Sequence, residues 1–182
     1  VIGFDCGPGN ALMDAWINDQ LGVPYDADGR WAATGRAQPA LLERLLTDPF
    51  LSRPPPKSTG REHYNLAWLR PFLEDEPAED VQATLLAFTA ETVSRALTEH
   101  FAEGEEVLVC GGGRHNGALM AALADRIAAT VMPTEAVNVD GDSLEAGLFA
   151  WLAARTVAGL PGNLVSVTGA EAPRILGTIY RA

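Results

Sequence analysis

Val1-Ile2-Gly3-Phe4-Asp5-Cys6-Gly7-Pro8-Gly9-Asn10 is a short apolar run that ends in an aspartate and a glycine-rich turn. Its first four residues read as a short buried strand. An aspartate at the end of a strand, just before such a turn, stands where backbone can approach phosphates and a carboxylate can meet a substrate hydroxyl. A second corner of this kind follows later in the chain, where Val107-Leu108-Val109-Cys110 leads into Gly111-Gly112-Gly113. Two strand-to-glycine corners in one acidic chain point to an enzyme that handles nucleotides. Each also has a plainer reading. Asp5 can be no more than a cap for the helix that starts near Asn10, and a glycine run can be a tight connection.

The chemistry of the first corner rests on Asp5. Phosphoryl transfer needs a group that accepts the proton of the attacking hydroxyl, and aspartate serves that role well. Gly7 and Gly9 let backbone come close to phosphate oxygens. In the second corner Gly111, Gly112 and Gly113, followed by Arg114-His115-Asn116, remove side chains where a flat ligand or a phosphate can lie. The spacing is not the G-x-G-x-x-G of dinucleotide sites. Glu145 stands at the start of a helix beside Ala146 and Gly147, small residues that let a ligand or another backbone approach; the alternative is a solvent-facing glutamate.

Other candidates carry less. Lys57-Ser58-Thr59-Gly60-Arg61-Glu62 has a lysine and hydroxyls but lacks the glycines of a phosphate-binding loop. It reads as a contact for a polar substrate or a partner subunit, or as a solvated loop. His63, His100 and His115 are scattered, with no metal-ligand spacing, so no structural metal is expected. Cys6 has no neighbour in sequence that would make it a nucleophile and reads as a packed residue. Cys6 and Cys110 do not form a disulfide framework, which fits reduced thiols in a cytoplasm.

The bulk properties set limits. A chain of 182 residues is long enough for one α/β domain with a real core. Its net charge of −11 argues against non-specific binding to nucleic acid and against anionic membranes, both of which favour basic patches. No apolar run is long enough for a spanning helix and no signal peptide is visible. The chain opens on Val1, directly in the first apolar run, and this reads as the C-terminal half of a longer protein.

Periodicity predicts helices over Asn10–Leu21, Gln38–Leu46, Asn65–Leu73, Asp80–Phe101, Asn116–Ala128 and Asp142–Ala158. Asn10 is a suitable N-cap, and Pro39 suits the first turn of its helix. Glu103-Gly104-Glu105-Glu106 is expected to close the long fourth helix. In the last helix Leu144, Leu148, Phe149, Trp151 and Leu152 form the apolar side. Strands are expected at Val107–Cys110, Thr130–Met132, Leu164–Val167 and Ile175–Tyr180. This order favours an α/β fold with a mixed sheet flanked by helices.

Taken in order, these blocks resemble the C-terminal half of the anhydro-N-acetylmuramic acid kinase family. They are Gly3 to Asn10 with Asp14-Ala15-Trp16; Pro55 to Glu62 with Asn65; Asp80 to Leu85; Val109 to Gly113 with Asn116; and Glu145-Ala146 with Phe149 to Ala153. One departure is Cys6, where the family usually has threonine. The resemblance implies an actin-like ATPase (ribonuclease H-like) lobe, with residues 1–182 as the second lobe of a two-lobe sugar kinase whose N-terminal lobe is absent from this chain. It implies ATP and Mg²⁺, the metal held mainly through nucleotide phosphates, and 1,6-anhydro-N-acetylmuramic acid as substrate. Asp5 then looks like the general base, Glu145 like a supporting carboxylate, Gly7, Gly9 and Asn10 like part of a phosphate loop, and Gly111, Gly112, Gly113 and Asn116 like an adenosine loop. The role of Lys57 to Glu62 stays open between substrate cleft and dimer contact, as does homodimerisation itself. The fragment alone is expected to be inactive. A nucleotide-binding lobe without catalysis, of the actin or chaperone type, and a hydrolase using Cys6 are the competing readings.

Overall fold

The computed structural model describes residues 1–101 and 106–180, a mixed α/β arrangement in which helices surround a small parallel sheet. The long periodic stretch after Pro77 forms α4, Ala78–His100. Its buried residues run from Val81 through Thr92 and cover more than one face of the helix. A helix enclosed on several sides has to satisfy its polar groups locally or across contacts. Thr84 Oγ1 donates to the Asp80 carbonyl (2.7 Å) and accepts from the Gln38 N–H (2.9 Å). Thr89 Oγ1 donates to the Gly9 carbonyl (2.7 Å).

The other helices pack their apolar residues into the same core. α1, Ala11–Leu21, buries Leu12, Met13, Trp16 and Ile17, and ends at Gly22 in the left-handed conformation. α2, Pro39–Leu45, has proline in its first turn and buries Leu41 and Leu45. α3, Leu66–Leu69, is shorter than the pattern predicts. Asn65 caps it through Trp68 N–H (3.1 Å), and the chain tightens into a 3₁₀ turn over Arg70–Phe72. Strand β1, Glu106–Val109, helix α5, Gly117–Arg126, and strand β2, Thr130–Pro133, make one β-α-β unit. The strands pair in parallel from Glu106 opposite Thr130 to Val109 opposite Pro133, and α5 turns Leu119 and Leu123 toward α4.

The proline-rich segment between α2 and α3 is held down by one buried carboxylate. Asp48 accepts from Phe50 N–H and Trp68 Nε1 (2.8 Å each) and pairs with His63 Nε2 (2.7 Å). Tyr64 and Trp68 meet edge to face with centroids 5.0 Å apart, and Trp68 stacks on Phe88 of α4. A long loop is thereby fixed against the core.

Several expectations fail for identifiable reasons. No strand forms at Val1–Phe4: Val1 and Ile2 are exposed, and the nearby backbone bond between segments runs from Asp5 N–H to Lys57 O (3.1 Å). An apolar run becomes a strand only where a neighbour supplies a ladder. Residues Leu164–Val167 do not form a strand either. They form a helical turn, α7 (Val165–Thr168), closed by Gly169 with φ of 66°. A four-residue apolar run does not distinguish the two by periodicity. Ile175–Tyr180 forms no strand and is exposed. Among the described residues the sheet therefore has two parallel strands, fewer than a mixed sheet needs. The helix expected over Asp142–Ala158 forms as α6, Leu144–Val157, but buries none of its residues. The acidic closure expected at 103–105 lies outside the described residues. No helix among them is long and apolar enough to cross a membrane.

Phe88 is fully buried at the centre of this packing. Phe88→Ala is expected to lower stability by about 3–5 kcal/mol, read as a shift in denaturant midpoint at unchanged slope; a loss below about 1 kcal/mol would remove α4 from the centre of the core.

Candidate functional site

Asp5 follows the extended N-terminal segment and is held from three points by residues 57–59. Its N–H donates to the Lys57 carbonyl (3.1 Å). Its Oδ2 accepts from Ser58 Oγ and from Thr59 N–H, each at 2.8 Å. Oδ1 accepts no hydrogen bond among the described residues. Asp5 lines an open depression together with Gly3, Lys57, Ser58 and Thr168. Lys57 is itself immobilised. Its Nζ donates to the carbonyls of Leu51 (2.8 Å) and Phe50 (3.3 Å), and lies 5.0 Å from the centre of the Phe50 ring. The segment whose role the sequence left open is thus packed against Asp5.

The two glycine corners, far apart in sequence, meet at Asn10. A Cβ on Gly112 or Gly113 would lie 3.8 and 3.7 Å from the Asn10 side chain. Asn10 does not cap α1 with its side chain, as its position suggested; its Nδ2 donates instead to Asp14 Oδ2 (2.7 Å). Asn116 does act as a cap, accepting from Leu119 N–H (3.0 Å) at the start of α5. A cavity of about 340 Å³ opens here, lined by Asn10, Asp14, Asp28, Gly112, Gly113 and Asn116. Half-burial pushes the Asp14 carboxyl above its usual range, against the pull of the Asn10 amide.

The glycines are there for different reasons. Gly9 and Gly111 have φ of 58° and 74°, and a Cβ on either would meet nothing within 4 Å. Their backbones are open toward solvent, as a phosphate-binding turn requires. Gly7 is a packing glycine: a Cβ there would come within 2.5 Å of Thr92 Oγ1 on α4. Its absent side chain seats the corner on the core and does not clear room for a ligand.

Arg114 braces the second corner, a role the sequence did not signal. It is buried, and donates through Nη1 to the Gly111 carbonyl (3.0 Å) and to Asp142 Oδ1 (2.8 Å), and through Nε to Glu135 Oε1 (2.8 Å). The Arg114 hydrogen bond holds the Asp142 carboxyl below its usual range. Glu135 is held low by its own and Gly141's backbone N–H, then by Arg114.

Glu145 lies exposed in the first turn of α6 and lines neither the depression at Asp5 nor the cavity at Asn10. Cys6 is a free thiol that burial pushes up from its ordinary pKa, opposed by its own backbone hydrogen bond and Lys57. Asp14 entered the family resemblance only as part of a matching block, with no role assigned, although its spacing from Asn10 is the i, i+4 signal of a helical pair. Asp26 and Asp28 stand at the 3₁₀ turn that follows α1. Asp26 accepts from Trp31 and Ala32 N–H (2.9 Å each), and Asp28 accepts from Gly117 N–H (3.0 Å), locking that turn to α5.

The family model described as anhydro-N-acetylmuramic acid kinase matches residues 1–182. Curated relatives bearing that name include those of Cupriavidus pinatubonensis, 51% identical over 99% of this chain and 50% of the relative, and Nitrosospira multiformis, 50% identical over 100% of this chain and 50% of the relative. A relative from Pseudomonas paraeruginosa is 53% identical over 100% of this chain and 51% of its own length. The chain spans about half the length of the curated relatives it matches.

Gly7→Ala is expected to lower the melting temperature, and Thr92→Ala in the same chain to recover part of the loss. Gly9→Ala should cost about 1–2 kcal/mol through its left-handed backbone alone, with no recovery from Thr92→Ala; recovery at Gly9 or none at Gly7 would reverse the assignment. The Arg114 pairs have a pH signature. Both carboxyl partners have folded pKa values below the unfolded ones, so their contribution is complete above the ordinary range near ~4 and is lost as pH falls through the lower folded values. Arg114→Ala should lower the melting temperature at pH 7, and the gap to the parent should close as pH falls below about 4.

Proposed function

The chain belongs to the anhydro-N-acetylmuramic acid kinase family, and from that premise we propose that it forms the second lobe of a two-lobe, actin-like sugar kinase. The reaction is the ATP- and Mg²⁺-dependent conversion of 1,6-anhydro-N-acetylmuramic acid and water to N-acetylmuramic acid 6-phosphate, a cytoplasmic step in reuse of cell-wall sugar. The observation that carries this reading is the meeting of the two glycine corners at Asn10, a short turn beyond Asp5.

The residues fit a nucleotide. The open backbones of Gly9 and Gly111, both at positive φ, suit phosphate oxygens. Asp14 and Asp28 in the cavity each keep one carboxylate oxygen without a partner among the described residues, which suits ribose hydroxyls and disfavours phosphates there. Mg²⁺ supplies charge neutralisation on the phosphates when bound. Gly112, Gly113 and Asn116 would border the nucleoside.

Asp5 Oδ1 takes the proton of the attacking water as its oxygen bonds to the anomeric carbon. The bond from that carbon to the bridge oxygen breaks, the freed C6 oxygen takes the γ-phosphoryl group, and ADP leaves. Lys57 anchors its own loop in this geometry, with two of its three ammonium hydrogens directed to the carbonyls of Phe50 and Leu51. Glu145 lies outside both cavities, and its part as a supporting carboxylate belongs to the complete two-lobe enzyme in this reading.

In the full-length kinase carrying this chain, Asp5→Asn should cut turnover by roughly 10² or more, the scale of general-base catalysis, while Cys6→Ser stays within a few-fold of the parent. Coupled turnover assays with the anhydro-sugar decide it: an unchanged rate for Asp5→Asn removes the base, and silencing by Cys6→Ser alone points to thiol chemistry.

A further inference from the structure

We propose that Ser58 is a positioning residue for Asp5: together with the Thr59 N–H it saturates Oδ2 and so assigns the proton transfer to Oδ1. The inference rests on the reading of Asp5 as general base and gives the Lys57–Thr59 segment its part in that reaction. Two donors at 2.8 Å on Oδ2, with the Asp5 N–H bound to the Lys57 carbonyl at 3.1 Å, fix the side chain from both ends. A carboxylate held at one oxygen by one donor can pivot about that contact. Held by two, it presents its other oxygen in a set direction. Asp5 lines the open depression, and Oδ1 is its carboxylate oxygen left without a donor among the described residues.

The arrangement suits a group that changes protonation state during turnover. When Oδ1 takes a proton, Oδ2 becomes the carbonyl oxygen of the acid and still accepts from both donors. The clamp therefore needs no rearrangement in the step it serves, which is the advantage of preorganised donors. The segment that carries Ser58 is itself rigid, because Lys57 is tied to the Phe50 and Leu51 carbonyls and Phe50 is packed in the core. The backbone donor of Thr59 survives any side-chain change, so the separable part of the clamp is the Ser58 hydroxyl.

The test is a double-mutant cycle in the full-length kinase, with kcat and KM measured for both substrates. Ser58→Ala should lower kcat about tenfold, the cost of a lost hydrogen bond to a charged group, with KM values within about twofold of the parent. Ser58→Thr, which keeps the hydroxyl, should restore most of the loss. In the Asp5→Asn background Ser58→Ala should have almost no further effect. Melting curves confirm that each variant is folded. If Asp5→Asn is silenced but Ser58→Ala turns over like the parent, the clamp is overturned and the base assignment stands. A raised KM at unchanged kcat makes Ser58 a substrate contact and overturns its positioning role. An equal loss from Ser58→Ala in both backgrounds overturns it as well. A fully active Asp5→Asn enzyme overturns the clamp together with the reading beneath it.

Discussion

The enclosure of α4 is the constraint on which the rest of the structure depends. A helix buried on one face needs one partner. A helix buried on several needs partners all round, and α1, α2, α5 and the aromatic cluster beside Asp48 supply them. Each is placed by the α4 side chains it covers. The polar groups on the buried surface add direction to this apolar packing, because a threonine hydroxyl that must find an acceptor selects one arrangement among several of similar area.

The candidate site is a consequence of that enclosure. Thr89 bonds the Gly9 carbonyl and Thr92 leaves room only for a glycine at position 7, so the first corner is seated on α4 before any ligand is considered. α5 packs on the same helix and brings the second corner with it. The meeting of the two corners at Asn10 follows from both resting on one support. The loop between α2 and α3 reaches Asp5 by a parallel route: Asp48 and the aromatic rings fix it to the core, and its far end delivers Ser58 and Thr59 to the carboxylate.

Much of this was legible in the chain. The helical periods, the proline in the first turn of α2, the strand–glycine–helix order of the second corner and the candidacy of Asp5 are local features, read within one turn or one corner. The errors share a cause. Val1–Phe4 and Ile175–Tyr180 have strand composition, but composition does not provide a neighbouring strand. The apolar side of α6 is correctly patterned, yet no described element covers it. Gly7 illustrates the subtler miss. The sequence marks it as a glycine in a turn, and only the position of Thr92 shows that packing is why it must be one.

By itself the sequence determined the main helices and the two strands that pair, the acidic character that disfavours nucleic acid, and the family, because these depend on residues near one another or on blocks in a fixed order. The tertiary structure decided which oxygen of Asp5 is free, which glycines face open space, that Arg114 braces a corner, and that the Lys57 segment belongs beside the carboxylate. Those facts depend on contacts between residues far apart in the chain, 54 positions in the case of Asp5 and Thr59. Such contacts exist only once burial has brought distant segments onto one core, and no local pattern records them.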